Sequence, residues 1–432
     1  AYRNNPELLS QRAALRATDE GVSQALANWR PTVELTGDVA RSHTMNTSRT
    51  TKRDQIRSPR GAGIDVTQSL FRGFRTVAAT AKAENEVRSA REALRAKEQD
   101  VLLDAVEAHA AVFRDQAVLR LNQNNEQVLR RQLEATRDRF RVGEITRTDV
   151  SQAEARLAGA RADRIKAAGD LVKSRANYLN IVGLAPRRLV APQGMGPLPA
   201  TQDAAIAAAM RGHPDVRGAE FDWRAARNDV KSVKGELLPT LKLTGSLGRQ
   251  FENTNNTNRT DTATLKLDLT VPLYQQGDVY SRLREAKQDA AKSYLDLEDK
   301  RRDSRETATN AWESLITARA RIKSFRAQIK AAEIAHEGVR REASVGSRTV
   351  LDVLDAEQEL LDANVNLVRA ERDEVVASFE LLEAVGKLTA KTLGLAVRVY
   401  DPGAHYREVR GRWVGSDSSG QTPRGAVKGK AP

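Results

Sequence analysis

The sequence contains an internal duplication, and this feature constrains the fold more than any other. Pro31-Thr32 recurs as Pro239-Thr240, 208 residues later, at the start of a similar seven-residue segment. Farther along, Val142-Gly143 recurs as Val345-Gly346 at a separation of 203 residues. Because self-similarity at a fixed separation reflects repetition of one structural unit, the chain is predicted to contain two copies of the same unit.

The duplication divides the sequence into four predicted parts. These are a first repeat (1–183), a linker rich in Pro and Gly (184–200), a second repeat (201–386) and a mostly disordered C-terminal extension (387–432). The stretch 201–209 opens the second repeat and has no counterpart in the first. We therefore expect the first helix to continue ahead of Ala1.

Each repeat is predicted to hold an opening helix, a strand pair, one very long helix, a turn and a final helix. Neither Gly nor Pro occurs from Phe74 to Val142, and apolar residues recur there at coiled-coil spacings of seven, four and three. A helix of that length would reach roughly 100 Å at about 1.5 Å per residue. The predicted long and final helices cover residues 74–142, 148–182, 278–344 and 350–385.

The strand pairs are predicted at about 33–71 and 240–274, where apolar and polar residues alternate, as in Val33, Leu35, Gly37 and Val39. Segments of this length suit tilted membrane-spanning strands, but they also suit two soluble hairpins. The polar stretches 42–60 and 250–262 between the strands favour the membrane interpretation, since soluble hairpins usually turn within about five residues.

Four strands are too few to close a barrel. In hydrocarbon, each unpaired backbone group at an open sheet edge would cost several kcal/mol. Single-chain barrels begin at about eight strands, so membrane-spanning strands would require at least two chains to share one barrel. This argument does not fix the number of chains.

Composition excludes several other classes. The chain has no cysteine, which rules out disulfides, thiolate metal sites and a catalytic thiol, and its apolar runs are too short for ordinary helical spans. The net charge of +13 arises from 29% charged residues of both signs, which is more typical of solvated helix faces than of a nucleic-acid footprint. Five scattered histidines and the absence of a phosphate loop or nucleophile motif predict neither a cofactor nor an enzyme.

The ordered, repeated motifs resemble the outer-membrane efflux protein family typified by TolC, up to about Gly394. The motifs are Asn5-Pro6-Glu7-Leu8, the two Pro-Thr-aliphatic strand starts, Gln68-Ser69-Leu70-Phe71, Val271-Pro272-Leu273-Tyr274, Phe140-Arg141-Val142-Gly143 and Val345-Gly346-Ser347-Arg348-Thr349-Val350-Leu351-Asp352-Val353-Leu354-Asp355-Ala356.

The resemblance implies an α+β membrane protein, a homotrimer in which four strands per chain form a 12-stranded β-barrel continuous with a long periplasmic α-helical barrel. It further implies a passive exit duct in the outer membrane of a Gram-negative bacterium. Such a duct receives drugs, small molecules or proteins from an inner-membrane transporter, ABC-type or proton-driven, through a periplasmic adaptor (membrane fusion) protein.

The resemblance places the contact with the adaptor at the two turns that follow the long helices. Helix termination by Gly143 and Gly346 explains the same residues and is compatible with that role. Glu144 departs from the apolar residue common at its position in the family. The tip residues implied are Val142, Gly143, Glu144, Val345, Gly346 and Ser347.

Two residues near the second turn are not repeated, since the equivalents of Arg348 and Asp355 are Ile145 and Gln152. The resemblance implies that Arg348 forms polar links with Thr148 and Asp149 that hold the tip closed. It also implies lumenal carboxylate rings at Asp352 and Asp355, which would attract cations. Solvated charges at a helix start are the alternative interpretation. The tip tyrosine of the family is replaced by Ala343, so one closing contact is expected to be missing.

A soluble coiled-coil scaffold or interaction protein is the alternative function. It explains the heptads. It does not explain two alternating strand pairs that follow the duplication, and the basic residues are interleaved with acidic ones instead of forming a block with stacking aromatics.

Overall fold

A computed structural model describes residues 1–47, 50–187, 189–191, 198–254 and 257–417. Two helices of 67 residues each account for much of the chain. The helices are α1 (Pro6–Ala27), α2 (Arg75–Arg141), α3 (Arg147–Val182), α4 (Gln202–Gly212), α5 (Pro214–Lys234), α6 (Asp278–Ser344), α7 (Val350–Ala384) and α8 (Ala404–Val409), and a 3-10 turn covers Gly235–Leu237.

The strands are β1 (Thr32–Val39), β2 (Ser42–Thr47), β3 (Lys52–Arg57), β4 (Arg60–Arg72), β5 (Thr240–Phe251) and β6 (Arg259–Thr270). The long helices and the helices that follow them begin and end within one residue of the predicted spans. No described helix combines the length and the apolar character needed to cross a membrane.

Three segments differ from the sequence-based expectation. The predicted polar loop 42–60 contains the antiparallel pair β2 and β3, whose register runs from Ser42 opposite Arg57 to Thr47 opposite Lys52. The opening helix of the second repeat is two helices, broken at His213, since Pro214 has no N–H to continue the α4 ladder. In the predicted linker, residues 188 and 192–197 lie outside the described residues.

The third difference is the C-terminal extension, since the prediction that 387–432 is mostly disordered is wrong for residues 387–417. Leu388 and Ala390 are buried, and their backbone N–H groups donate to Gln99 (3.2 Å) and Glu98 (2.7 Å) of α2. Farther along, His405 in α8 contacts the buried Asp19 of α1 at 3.2 Å. The prediction for 418–432 falls outside the described residues.

The chain forms two compact units. The first comprises residues 1–12, 92–217 and 299–400, and holds α3, α4, α7 and most of α2 and α6. Its core is a set of clusters in which helices meet along narrow stripes. One cluster joins α4, α6 and α7 around Ala209, Leu315 and Leu381, and another joins α2 and α7 around Leu102 and Phe379.

The second unit comprises 13–91, 218–298 and the described part of 401–432, and holds a four-stranded antiparallel sheet of order β1-β4-β5-β6. Its register brings Leu35, Ile64 and Leu247 side by side on three neighbouring strands. The face that carries these residues is apolar and exposed, whereas Glu34, Asp65 and the residues aligned with them lie on the other face. β1 and β6 each have one edge without a partner strand among the described residues.

Close packing in the first unit depends on Gly386, which follows α7 with φ of 72°. A Cβ at this position would lie 2.3 Å from the carbonyl oxygen of Gly212 at the end of α4. Only glycine combines a positive φ with so close an approach of two backbones.

We therefore expect Gly386→Ala to lower the thermal unfolding midpoint in detergent, measured by circular dichroism. The matched control is Gly346→Ala, where φ is 81° and nothing lies within 4 Å of the added Cβ. The control variant should lose roughly 1–2 kcal/mol of unfolding free energy, from its backbone conformation alone. Equal shifts in the two variants would show that the approach of Gly212 does not matter.

Candidate functional site

The candidate site is the pair of helical tips, where α2 turns into α3 and α6 turns into α7. Each long helix ends at a glycine with positive φ, 79° at Gly143 and 81° at Gly346. The residue after each glycine donates its backbone N–H back across the turn, from Glu144 to Arg139 and from Ser347 to Glu342, both at 3.0 Å. Both turns are therefore glycine-terminated helix ends of the same construction.

The helices that follow the turns begin with the same capping box. Thr146 accepts a hydrogen bond from the backbone N–H of Asp149 at 3.3 Å, while the Asp149 carboxylate accepts one from the backbone N–H of Thr146 at 2.9 Å. Thr349 and Asp352 repeat this pair of bonds at 3.2 and 2.9 Å. Asp149 and Asp352 thus stabilise helix starts, which agrees with their presence in both repeats.

The hydrogen bonds from Thr349 also determine the charge state of Asp352. Together with the smaller effect of Arg348, the backbone and hydroxyl bonds of Thr349 hold the pKa of Asp352 below its usual value. The carboxylate is therefore ionised at neutral pH within a single chain. The carboxylate rings inferred from the sequence would act in the opposite direction and raise each pKa.

The two tips differ in the ion pair that crosses each turn. In the second tip, Arg348 Nε contacts Glu342 Oε2 at 2.9 Å, and this contact raises the pKa of Arg348. In the first tip the charges are reversed, with Arg139 and Glu144 at 3.9 Å. Arg348 makes no hydrogen bond to Thr148 or Asp149 in the part of the chain that the structure describes. The links predicted for it are not made within one chain.

The helix pairs α2–α3 and α6–α7 form two helical hairpins. Asp355 of α7 connects these two hairpins, since its carboxylate pairs with Arg156 of α3. The sequence neighbours of this pair, Leu157 of α3 and Leu354 of α7, belong to a buried cluster that also includes Leu133 of α2. Asp355 is thus partly neutralised, whereas Asp352 interacts mainly with its own helix start.

The tips are open to solvent. Val142 and Val345 are 78% and 80% exposed, although both are apolar. The described residues hold no group of three or more His, Asp or Glu side chains able to bind a metal. The arrangement can therefore offer a docking surface and charged links, and no catalytic constellation is visible in it.

Sequence reasoning missed a group of acidic side chains on α2 and α7 of the first unit, here called the acidic layer. Burial, and then the nearby carboxylates of Asp100, Glu380, Asp104 and Glu107, raise the pKa of Glu383 to about 7. The available signal was a pair of acids three residues apart, Glu380 and Glu383, inside the apolar stretch of α7.

Comparison with known proteins gives a consistent result. The family profile described as "Outer membrane efflux protein" matches residues 1–184 and 205–387. The outer membrane efflux protein BepC of Brucella suis is 36% identical over 96% of this chain and 90% of its own length. The outer membrane protein TolC of Vibrio cholerae is 27% identical over 90% of this chain and 89% of its own length.

Among solved structures, a membrane protein from Pseudomonas aeruginosa superimposes with a TM-score of 0.80 at 18% identity. The superposition covers 88% of this chain and 87% of that protein. This likeness concerns the fold.

The acidic layer predicts a pH dependence of stability. Because the pKa of Glu383 is raised by folding, its contribution to stability is complete below about pH 4.5 and is lost as the pH rises through about 7. We expect Glu383→Gln to raise the unfolding midpoint at pH 8 and to change it little at pH 5. Glu359→Gln, which removes a solvent-exposed acid of the same helix, serves as the control. A pH-independent effect of Glu383→Gln would contradict this origin.

Proposed function

This chain belongs to the outer membrane efflux protein family, and we propose that it forms the outer-membrane exit duct of a tripartite efflux or type I secretion system. As a member of this family it is a channel protein of the outer membrane. Its helical part extends into the periplasm. The observation that carries the proposal is the match of the family profile to both repeats. A soluble coiled-coil scaffold, the alternative from sequence, would not account for that match.

The sheet supports a shared barrel. Its one exposed apolar face and one polar face suit strands that contact lipid on one side and water on the other. The edges of β1 and β6 that lack a partner strand among the described residues must be paired in a membrane. Three copies would close 12 strands into one barrel, and their helices would surround a tunnel below it.

The exposed tips support docking of a periplasmic adaptor. The residues proposed to contact it are Val142, Gly143, Glu144, Val345, Gly346 and Ser347. An inner-membrane transporter would supply energy and select the cargo, so the same duct serves drugs, small molecules or exported proteins.

The proposed gate consists of Thr148, Asp149 and Arg348, with Asp352 and Asp355 lining the constriction. Within one chain Arg348 is held by Glu342, so its links to Thr148 and Asp149 would form between chains or in another state of the tip. Adaptor docking would break these links and let the hairpins swing outward. The contact between Arg156 and Asp355 would keep the two hairpins of each chain together.

The gate is tested in planar bilayers with Arg348→Ser combined with Asp149→Asn, a change that retains a side-chain acceptor for the capping box. We expect several-fold higher single-channel conductance than in the wild type, because the links that close the tip are lost. Glu144→Gln, which alters only the charge of the first turn, should leave conductance unchanged. Unaltered conductance in the double variant would contradict only the proposed gate. A wild-type protein that forms no channels would contradict the proposal that the chain forms an exit duct.

Ion selectivity tests the carboxylate rings. Asp352→Asn should move the reversal potential in a salt gradient toward zero, because it removes three negative charges from the constriction of a trimer. Asp355→Asn should have a smaller effect, since Arg156 already neutralises part of that charge. Asp163→Asn, which removes an exposed acid of α3, is the matched control. If the reversal potential does not move in Asp352→Asn, the proposed ring is wrong.

A further inference from the structure

The exposed apolar face of the four-stranded sheet ends in charged residues, and the change occurs at the same level on β4, β5 and β6. Side chains at every second position point to one side of a strand, so the two rows beyond Ile64 and Leu247 lie on the same face as these residues. The first row, aligned across the three strands, is Ala62, Arg249 and Asp261. The second row, one step farther along this face, is Arg60, Phe251 and Arg259. The three arginines, Arg60, Arg249 and Arg259, are here called the arginine rim.

The opposite end of the same face is uncharged. Its aligned row on β4, β5 and β6 is Phe71, Leu241 and Leu269. At that end the strands join α1, α2 and α6, and the turn that follows α5. With the helices in the periplasm, the arginine rim therefore lies at the outer surface of the membrane. Arginines extend from apolar surfaces toward water in general, but this tendency does not explain why they occur at one end only.

Asp261 holds two of the rim arginines in place. Arg249 donates to its carboxylate from Nε at 2.7 Å and from a terminal nitrogen at 3.3 Å. Arg259 donates to the same carboxylate from Nε at 3.1 Å and through a terminal nitrogen. A guanidinium carries five N–H donors, so these bonds leave further donors on each arginine. Both side chains are about half exposed, which leaves those donors accessible to an anion.

A groove on the apolar face begins directly beside the rim. It encloses about 510 Å³, and its outer end is lined by Arg249 and Asp261. Small side chains leave room between larger apolar ones along the rest of the groove. The apolar residues that line it include Leu35, Ala62, Ile64, Leu247 and Ala263. An apolar groove with cations at one end is complementary to a molecule that has an acyl chain and an anionic headgroup.

Positive charge is in excess around the rim. The three arginines are accompanied by two acids, Asp261 and Glu252, the latter 3.7 Å from Arg60. The adjoining segment 41–60 contains six Lys or Arg residues and a single Asp in the sequence. Arg60 also stacks on Phe251, with the guanidinium 5.5 Å from the ring centre. The outer end of the sheet thus attracts anions and carries an aromatic side chain of the kind that barrels place at headgroup level.

We propose that this end of the sheet binds a phosphorylated glycolipid of the outer leaflet, with an acyl chain in the groove and a phosphate group on Arg249 and Arg259. The inference rests on the proposed function, since it needs the sheet to span the outer membrane with its hairpins outward. Phosphate fits because the planar guanidinium group binds its oxygens in a bidentate manner. Asp261 acts as the positioning residue for both arginines.

The test is a titration of the purified protein in mild detergent with lipid A, a phosphorylated glycolipid, followed by native mass spectrometry. The wild type should bind lipid A roughly tenfold more tightly than dephosphorylated lipid A, because charge-assisted bonds to the phosphate are lost. Arg249→Gln combined with Arg259→Gln should remove most of this difference. The matched control, Lys242→Gln combined with Lys266→Gln, removes two positive charges from the other face of the same strands and should bind like the wild type.

A further variant tests the groove without changing any charge. Ala263→Phe places a bulky apolar side chain in the groove, at an exposed strand position that tolerates an aromatic residue. It should weaken the binding of lipid A several-fold, because the acyl chain loses its place. Unchanged affinity in Ala263→Phe would contradict the groove as the acyl-chain site.

Three other results would overturn the inference. Equal affinity of the wild type for lipid A and for its dephosphorylated form would exclude the phosphate contact. An equal loss in the arginine and lysine double variants would show attraction by overall charge, without a site. Displacement of lipid A by millimolar inorganic phosphate would assign the arginines to a free anion. Each of these results leaves the proposed duct standing if the wild type conducts in planar bilayers, whereas a wild type without channels would concern the proposed function instead.

Discussion

The structure depends on burial along narrow apolar stripes of very long helices. Each stripe covers only part of a helix circumference, so a pair such as α2 and α3 buries Leu133 and Leu157 while most of its surface stays polar. This explains how a chain with 29% charged residues can build helices of 67 residues.

The duplication separates what the fold needs from what function would use. The capping boxes of Thr146 with Asp149 and of Thr349 with Asp352 occur in both repeats and stabilise equivalent helix starts. The contact of Arg348 with Glu342 has a counterpart of reversed charge in Arg139 with Glu144, and the contact of Arg156 with Asp355 joins one repeat to the other. Gene duplication thus supplies two similar tips, and a few substitutions make them electrically different. That asymmetry is what a gate would act on.

Local signals explain which parts of the fold were predictable. The absence of Gly and Pro from 74–142, followed by a glycine, specifies a long helix and its end, because both effects act through the backbone of neighbouring residues. The helix break at Pro214 was local too, but the duplication suggested a single opening helix. The order of residues 387–417 was missed because it depends on distant partners, such as Gln99 for Leu388 and Asp19 for His405.

By itself, the sequence determined the repeat, the long helices, the two strand pairs and the family, since all of these are written in local spacing and in motifs. Tertiary structure decided which charges meet. Within one chain it paired Arg348 with Glu342, it placed Asp355 against Arg156, and it collected four carboxylates around Glu383. It also showed that the face of α3 with Leu157 and Leu171 is the buried one. Periodicity gives the faces of a helix, but only packing fixes which face meets a neighbour, because several faces of similar polarity compete for the same partner.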